Sequence, residues 1–207
     1  MSLDDARRQK SAKAELAKGD RAEGSKDLRS GEAPTATIGH ERSGTDHLME
    51  EVIEASNAKK ALKRVVQNKG SPGIDGMRVE ELAPYLAANW TRIRSELVAG
   101  TYQPQPVRRQ EIPKSGGGVR QLAIPCALDR LIQQAILQVL QPRFDPTFSE
   151  HSYGYRPGRS AHDAVRAARK YIQAGKRYVA DVDLESFFDR INWDVLMGRL
   201  EKRIADK

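Results

Sequence analysis

Two short strand-like runs, Val107–Ile112 and Val119–Ile124, flank the six residues PKSGGG at 113–118. Extended runs on either side of a glycine cluster read as a β-hairpin with a glycine-rich, movable tip. The segments around it keep a helical period instead. Leu48, Met49, Val52, Ile53, Ala58, Ala61, Leu62, Val65 and Val66 predict one amphipathic helix ending near Gly70. SPGIDG (71–76) is turn chemistry, and a short helix follows near Val79–Leu86. Asn89 reads as the N-cap of another helix, with Trp90, Ile93 and Leu97 on its buried side and Gly100 as its stop. Beyond the hairpin, Ala127–Leu140 returns to helical spacing, and Ser160 can cap a helix over Ala161–Ile172. Arg177–Leu184 reads as a strand, and a last helix begins near Trp193 with Asn192 as its cap. Helices mixed with an antiparallel hairpin indicate an α+β fold.

The 207 residues allow one domain, or one and a piece of a second. Residues 1–46 hold no aromatic, five glycines, nine basic and nine acidic side chains, the composition of a flexible arm. The whole +7 excess therefore lies in residues 47–207, where 26 basic side chains face 19 acidic ones. With a pI near 9.6, that points to a polyanionic partner. The single cysteine, Cys126, excludes an internal disulfide and a zinc ribbon, and reads as a small buried hydrophobe. His40, His47, His151 and His162 are too scattered for a metal cluster, and Trp90 and Trp193 read as core. There is no secretory h-region and no run of apolar residues long enough to span a bilayer, so the expectation is a soluble, cytoplasmic protein with no membrane contact.

Three segments carry candidate chemistry. In RYVADVDLESFFD, strand alternation puts Val179, Asp181 and Asp183 on one face and Tyr178, Ala180, Val182 and Leu184 on the other, an apolar face suited to packing on helices. The two carboxylates would stand about 7 Å apart, where a hard cation can be held, or they are simply solvated strand-end residues. Arg108, Arg109, Lys114 and Arg120 on or beside the glycine turn suit a clamp on phosphates, or an ordinary solubilised hairpin. In YGYRPGRS, two tyrosines alternate with Arg156 and Arg159, a pattern that can stack on bases and pair with phosphates, or a packed structural loop.

Taken in order, NKGSPGIDGM, GTYQPQPVRRQEIPKSGGGVRQLAIPCALDRLIQQAI, FSEHSYGYRPGRSAHDAV and YVADVDLESFFDRINWDVLMGRL resemble the reverse transcriptases of bacterial group II introns, the intron-encoded maturase family. The resemblance covers roughly residues 47–207. It implies a right-hand polymerase fold, with an N-terminal extension and fingers over 47–176, the beginning of the palm over 177–207, and the arm (1–46) ahead of both. By the same resemblance Asp183 matches the first metal-binding aspartate of the palm, with the Leu184 carbonyl beside it. Phe188 matches the aromatic that abuts the sugar of the incoming nucleotide, and Lys114 and Arg120 match the residues that grip its triphosphate. NKGSPGIDGM corresponds to a loop over the template, which assigns Gly73, Asp75 and the adjoining Arg78 to template or RNA binding, as YGYRPGRS does Tyr155, Arg156 and Arg159. Asp181 has no assured role in the pattern.

The implied cofactor is Mg2+, two ions in a complete enzyme. The implied partners are group II intron RNA, an RNA template with its DNA primer, dNTPs and possible dimerisation of the full-length protein. The family's second acidic motif, Tyr-x-Asp-Asp, does not occur in these 207 residues, so the chain alone is expected not to polymerise DNA. Trp193 stands where relatives often carry His. Other readings are an RNA-binding splicing role or remnant without polymerisation, and a retron or diversity-generating polymerase.

Overall fold

The computed structural model describes residues 44–184 and 186–206, so the expected arm lies almost wholly outside the described residues. The first helical stretch forms two helices rather than one, α1 (Leu48–Ile53) and α2 (Ala55–Gln67). Glu54 between them is extended, at φ −58° and ψ 137°. The cause is tertiary. The Asn57 side-chain amide donates to Val52 O at 2.9 Å and to Ala135 O at 3.1 Å, so it takes a carbonyl that a continuous helix would use and ties it to a third helix.

A single 3-10 turn, Val79–Glu81, leads into α3 (Leu82–Val98). This helix runs unbroken through Asn89, which corrects the expectation of a second start there. Pro84 sits in the first turn, where a missing N–H costs nothing, and the Asn89 amide donates back to Tyr85 O at 2.9 Å instead of capping. Gly100 ends α3 as expected, at φ +64°, with Thr101 N–H on Glu96 O at 2.9 Å and Gly100 N–H on Leu97 O at 3.2 Å, a Schellman closure.

After the hairpin, α4 (Ala127–Phe144) is the central element. Its Leu131, Ile132, Ala135 and Val139 pack with Leu48, Val52 and Ile53 of α1, Ala61 and Val65 of α2, and Leu82, Ile93 and Leu97 of α3 in one core. Burial of each such leucine or isoleucine contributes roughly 1.5–3 kcal/mol. Cys126 is buried, as expected, and Trp90 is half-buried against the core.

The hairpin pairs β1 (Arg108–Pro113) with β2 (Val119–Ile124), antiparallel, in a register that sets Ile112 opposite Arg120 and Pro113 opposite Val119. Further on come α5 (Ala161–Gln173) and α6 (Trp193–Glu201). Both caps are as expected. Ser160 Oγ accepts from Asp163 N–H at 3.3 Å while the Asp163 carboxylate accepts from Ser160 N–H at 2.9 Å, and Asn192 Oδ1 accepts from Val195 N–H at 3.0 Å. Trp193, however, is 66% exposed and is not core.

The strand expected at 177–184 is absent. A strand needs a ladder partner, and among the described residues the only sheet is the hairpin, whose two strands pair with each other. Tyr178, Val179 and Val182 accordingly stand almost fully exposed rather than packed on helices. The described residues hold no helix long and apolar enough to cross a membrane.

Candidate nucleotide and RNA site

The hairpin tip is built by its glycines. Lys114 N–H donates to Gly118 O at 3.0 Å and Gly117 N–H to Lys114 O at 3.1 Å, with Gly117 at φ +89° and Gly118 at φ +82°, conformations that favour glycine. Cross-strand partners share a face, so Arg120 and Leu122 project on the side of Ile112 and Gln110. Lys114 and Arg120 thereby line one cleft of about 610 Å3 with Ile112, Pro113 and residues 115–117. Two cations, a floor of glycine backbone and an apolar wall can take a polyphosphate bearing an organic group.

The loop 70–76 is held from two sides. Arg108 Nε donates to Pro72 O at 3.0 Å from the base of β1, and Arg130 Nη2 donates to Ser71 O at 2.9 Å from the first turns of α4. Gly70 lies against the Arg130 guanidinium, where a Cβ would collide with Nη1, and Gly73 lies on the Cys126 backbone. Gly73 is thus a buried anchor, while Asp75 and Arg78 are exposed. Asp75 Oδ1 accepts from Met77 N–H at 3.1 Å and closes the turn.

In 151–160 the two arginines differ. All five donors of Arg156 are engaged within its own neighbourhood: Nε on Asp145 Oδ1 at 2.9 Å, Nη2 on Asp145 O and Oδ2, Nη1 on Ser149 O and Ser152 O. Its side chain is only 8% exposed, and the hydrogen bonds from it hold the Asp145 carboxyl below the usual carboxylate range. Arg156 shapes this loop rather than presenting a cation. Arg159 donates to Glu150 O and stacks its guanidinium over the Tyr153 ring at 5.5 Å. Tyr155, at φ +57°, has its ring fully in solvent at the loop's tip.

Asp183 is exposed, and its Oδ1 accepts from the Leu184 N–H at 2.9 Å, leaving Oδ2 open. Phe188 is 77% exposed and meets Phe187 edge to face at 5.3 Å. Carboxylate and carbonyl oxygens are the right donors for Mg2+, which is typically held by one or two carboxylates together with substrate phosphates. No group of three or more His, Cys, Asp or Glu positioned for a metal occurs among the described residues. The structure thus brings Lys114 and Arg120 together, holds Gly73 and Asp75 on one supported loop with Arg78 just after it at the cap of the 3-10 turn, and leaves Asp183, Leu184 and Phe188 on an open segment.

One buried cluster escaped the sequence reading. Asp129, 4% exposed, accepts from Tyr102 Oη at 2.7 Å and from Gln105 N–H at 3.2 Å, and so pins the lead-in to β1 onto α4. Burial and then this hydrogen bond push the Tyr102 phenol well above its ordinary pKa. An aspartate in the first turn of a helix reads in sequence as an ordinary dipole partner, and only the Tyr-x-x-Gln lead-in hinted otherwise.

Residues 112–207 match the reverse transcriptase (RNA-dependent DNA polymerase) family. Protein YkfC of Escherichia coli is 38% identical over 152 residues, 70% of this chain and 40% of YkfC. The group II intron-encoded protein LtrA of Lactococcus lactis is 33% identical over 147 residues, 70% of this chain and 24% of LtrA. Nuclear intron maturase 1 of Arabidopsis thaliana mitochondria is 34% identical over 83 residues, 40% of this chain and 12% of that protein. The chain therefore spans less than half the length of each of these relatives. The match to the reverse transcriptase family runs through the hairpin tip and the Asp183 segment alike, and the chain is similar to a group II intron-encoded protein and to an intron maturase.

Proposed function

We propose that this chain supplies the fingers (47–176, with the N-terminal extension) and the start of the palm (177–207) of a right-hand RNA-directed DNA polymerase that also binds intron RNA to assist splicing. The observation that carries the reading is the convergence of Lys114 and Arg120 on one cleft above a glycine-built floor. There the two cations hold and neutralise the triphosphate of an incoming dNTP through charge-assisted hydrogen bonds. Phe188 lies under the sugar and disfavours a 2′-hydroxyl. Asp183 Oδ2 and the Leu184 carbonyl would hold Mg2+, which when bound activates the primer 3′-hydroxyl and stabilises the departing pyrophosphate. The RNA template with its DNA primer runs past Gly73, Asp75 and Arg78, with Tyr155 as a stacking platform, Arg159 beside it and Arg156 fixing the loop. Dimerisation belongs to the same proposal for the longer protein.

The test is a titration of the chain with dATP in Mg2+. A charge-assisted hydrogen bond contributes roughly 1.5–3 kcal/mol, so Lys114→Ala and Arg120→Ala should each weaken binding at least tenfold. Unchanged affinity in both variants would sink the assignment. Primer extension by the chain alone should be nil, because the sequence holds no Tyr-x-Asp-Asp; extension abolished by Asp183→Ala would overturn that part.

A further inference from the structure

The hairpin stands almost free of the helices. Along β1 every residue but Arg108 is exposed, and along β2 every residue but Ile124. These two half-buried residues face each other at the root of the ladder, the end away from the glycine tip. Ile112, Val119 and Leu122 stand open to solvent. A two-stranded hairpin with neither face packed does not hold its own position, so the fastenings at its root decide where Lys114 and Arg120 point. The extended chain from Arg108 to Pro113 spans about 17 Å, and a turn of about 3° at the root carries the tip about 1 Å. A shift of that size takes a hydrogen bond to a phosphate out of range.

Two fastenings tie the root to α4. Asp129 accepts from Tyr102 Oη and Gln105 N–H in the lead-in, and β2 runs through Pro125 and Cys126 straight into the helix. Arg108 makes a third, of a different kind, because its Nε donates to Pro72 O at 3.0 Å. Among the described residues this is the one hydrogen bond that joins the hairpin to the loop 70–76. Arg109, Lys114 and Arg120 are exposed, so Arg108 is the hairpin cation that turns inward. A residue placed to bind phosphate keeps its donors for the ligand, whereas Arg108 gives Nε to the loop.

We infer that Arg108 is a positioning residue for the nucleotide grip: through Pro72 it passes the seating of the loop 70–76 to the hairpin root, so that RNA on the loop and a nucleoside triphosphate in the cleft strengthen each other's binding. With the loop down on Cys126 the Arg108–Pro72 bond forms and the tip is aimed. With the loop lifted that bond opens, and the tip swings on its ties to α4 alone. RNA along Asp75 and Arg78 favours the seated arrangement, and so does a triphosphate held by Lys114 and Arg120. Such linkage is reciprocal. The inference rests on the reading of the loop as an RNA path and of the cleft as a triphosphate grip, and it adds how the two communicate.

The experiment titrates dATP into the whole chain in Mg2+, with and without saturating oligo(A) RNA of about 12 nucleotides. Oligo(A) does not pair with dATP, so any gain passes through the protein. The wild type should bind dATP roughly tenfold more tightly with the RNA, the order of one hydrogen bond from a charged donor, and dATP should raise the oligo(A) affinity by the same factor. Arg108→Met keeps the stem but has no donor, and should bring the gain to about one. Arg108→Gln carries an amide nitrogen at the position of Nε without the charge, and should keep a gain of about threefold or more. If Arg108→Met does not fold, Gly73→Ala carries the same test by lifting the loop with Arg108 in place, and an undiminished gain there would count against the inference. Wild-type gain in Arg108→Met would overturn it while leaving the functional reading intact. So would equal weakening of dATP binding with and without RNA in both Arg108 variants, as a phosphate ligand would give, or a wild type that binds both ligands with no gain. A wild type that fails to bind oligo(A) or dATP would overturn both.

Discussion

Replacement of Gly73 by alanine tests how the loop 70–76 is held. A Cβ there would lie 2.6 Å from Cys126 Cα, 2.7 Å from Cys126 N and 2.8 Å from Cys126 Sγ. Two of these atoms are main chain at the threshold of α4 and cannot swing aside. Overpacking of this kind costs about 1–3 kcal/mol, offset by about 0.4–1 kcal/mol from the stiffer unfolded chain. Central values leave a net loss of about 1.3 kcal/mol, which should lower Tm by roughly 3–5 °C for a chain of this size, read by circular dichroism. The loop must also lift from Cys126, which strains the Arg108–Pro72 hydrogen bond of 3.0 Å and with it the coupling of loop to hairpin. A Cys126→Ala background removes Sγ but leaves Cα and N, so it should restore little. Gly76→Ala is the control, since at φ +72° with open space around it the cost there is backbone strain of about 1–2 kcal/mol. Wild-type stability in Gly73→Ala, or full recovery on Cys126→Ala, would refute the close-approach argument.

Two further outcomes follow from the buried hydrogen bonds. Tyr102→Phe leaves the nearly buried Asp129 with Gln105 N–H as its only other donor among the described residues and should cost about 1–3 kcal/mol in urea unfolding. Because the Tyr102 pKa is raised in the fold, its contribution is full below the unfolded value of about 10 and falls as pH rises beyond it; Tyr102→Phe should lack that alkaline decline, and coincident profiles would count against burial of the phenol. Asp145 has the opposite sign. With its folded pKa lowered by Arg156, its contribution is full above about 3.9 and is lost as pH falls through the depressed value, so residues 145–160 should open to pepsin in acid. In Asp145→Asn that acid dependence should vanish, and an unchanged acid limb would disprove it.

The elements readable in advance were those whose signals are local. PKSGGG makes its own tip, Ser160 and Asn192 cap with atoms three residues away, and Gly100 supplies a left-handed backbone where α3 ends. What was missed depends on distant partners. Glu54 breaks a helical period because Asn57 reaches a carbonyl of α4, and the run 177–184 alternates like a strand but finds no ladder. Within the candidate site the residue types came from motif resemblance, and the structure adds relations that spacing does not encode. Arg120 lines the cleft beside Ile112 because the register sets the two opposite, and Lys114 joins it from the turn, whereas Arg156 turns inward because Asp145, eleven positions earlier, matches its fork.

The start of α1 is bonded to a residue far along the chain. Met49 N–H donates to Asp206 Oδ2 at 2.7 Å across 157 positions, and Asp206 N–H and Ala205 N–H in turn donate to Thr45. A six-residue helix does not persist by itself in water. On a ribosome adding about 5–20 residues per second, Asp206 is made roughly 8–30 s after Met49. For that interval the first of the described helices waits without its cap, and the order in which the protein is made is not the order in which it is finished.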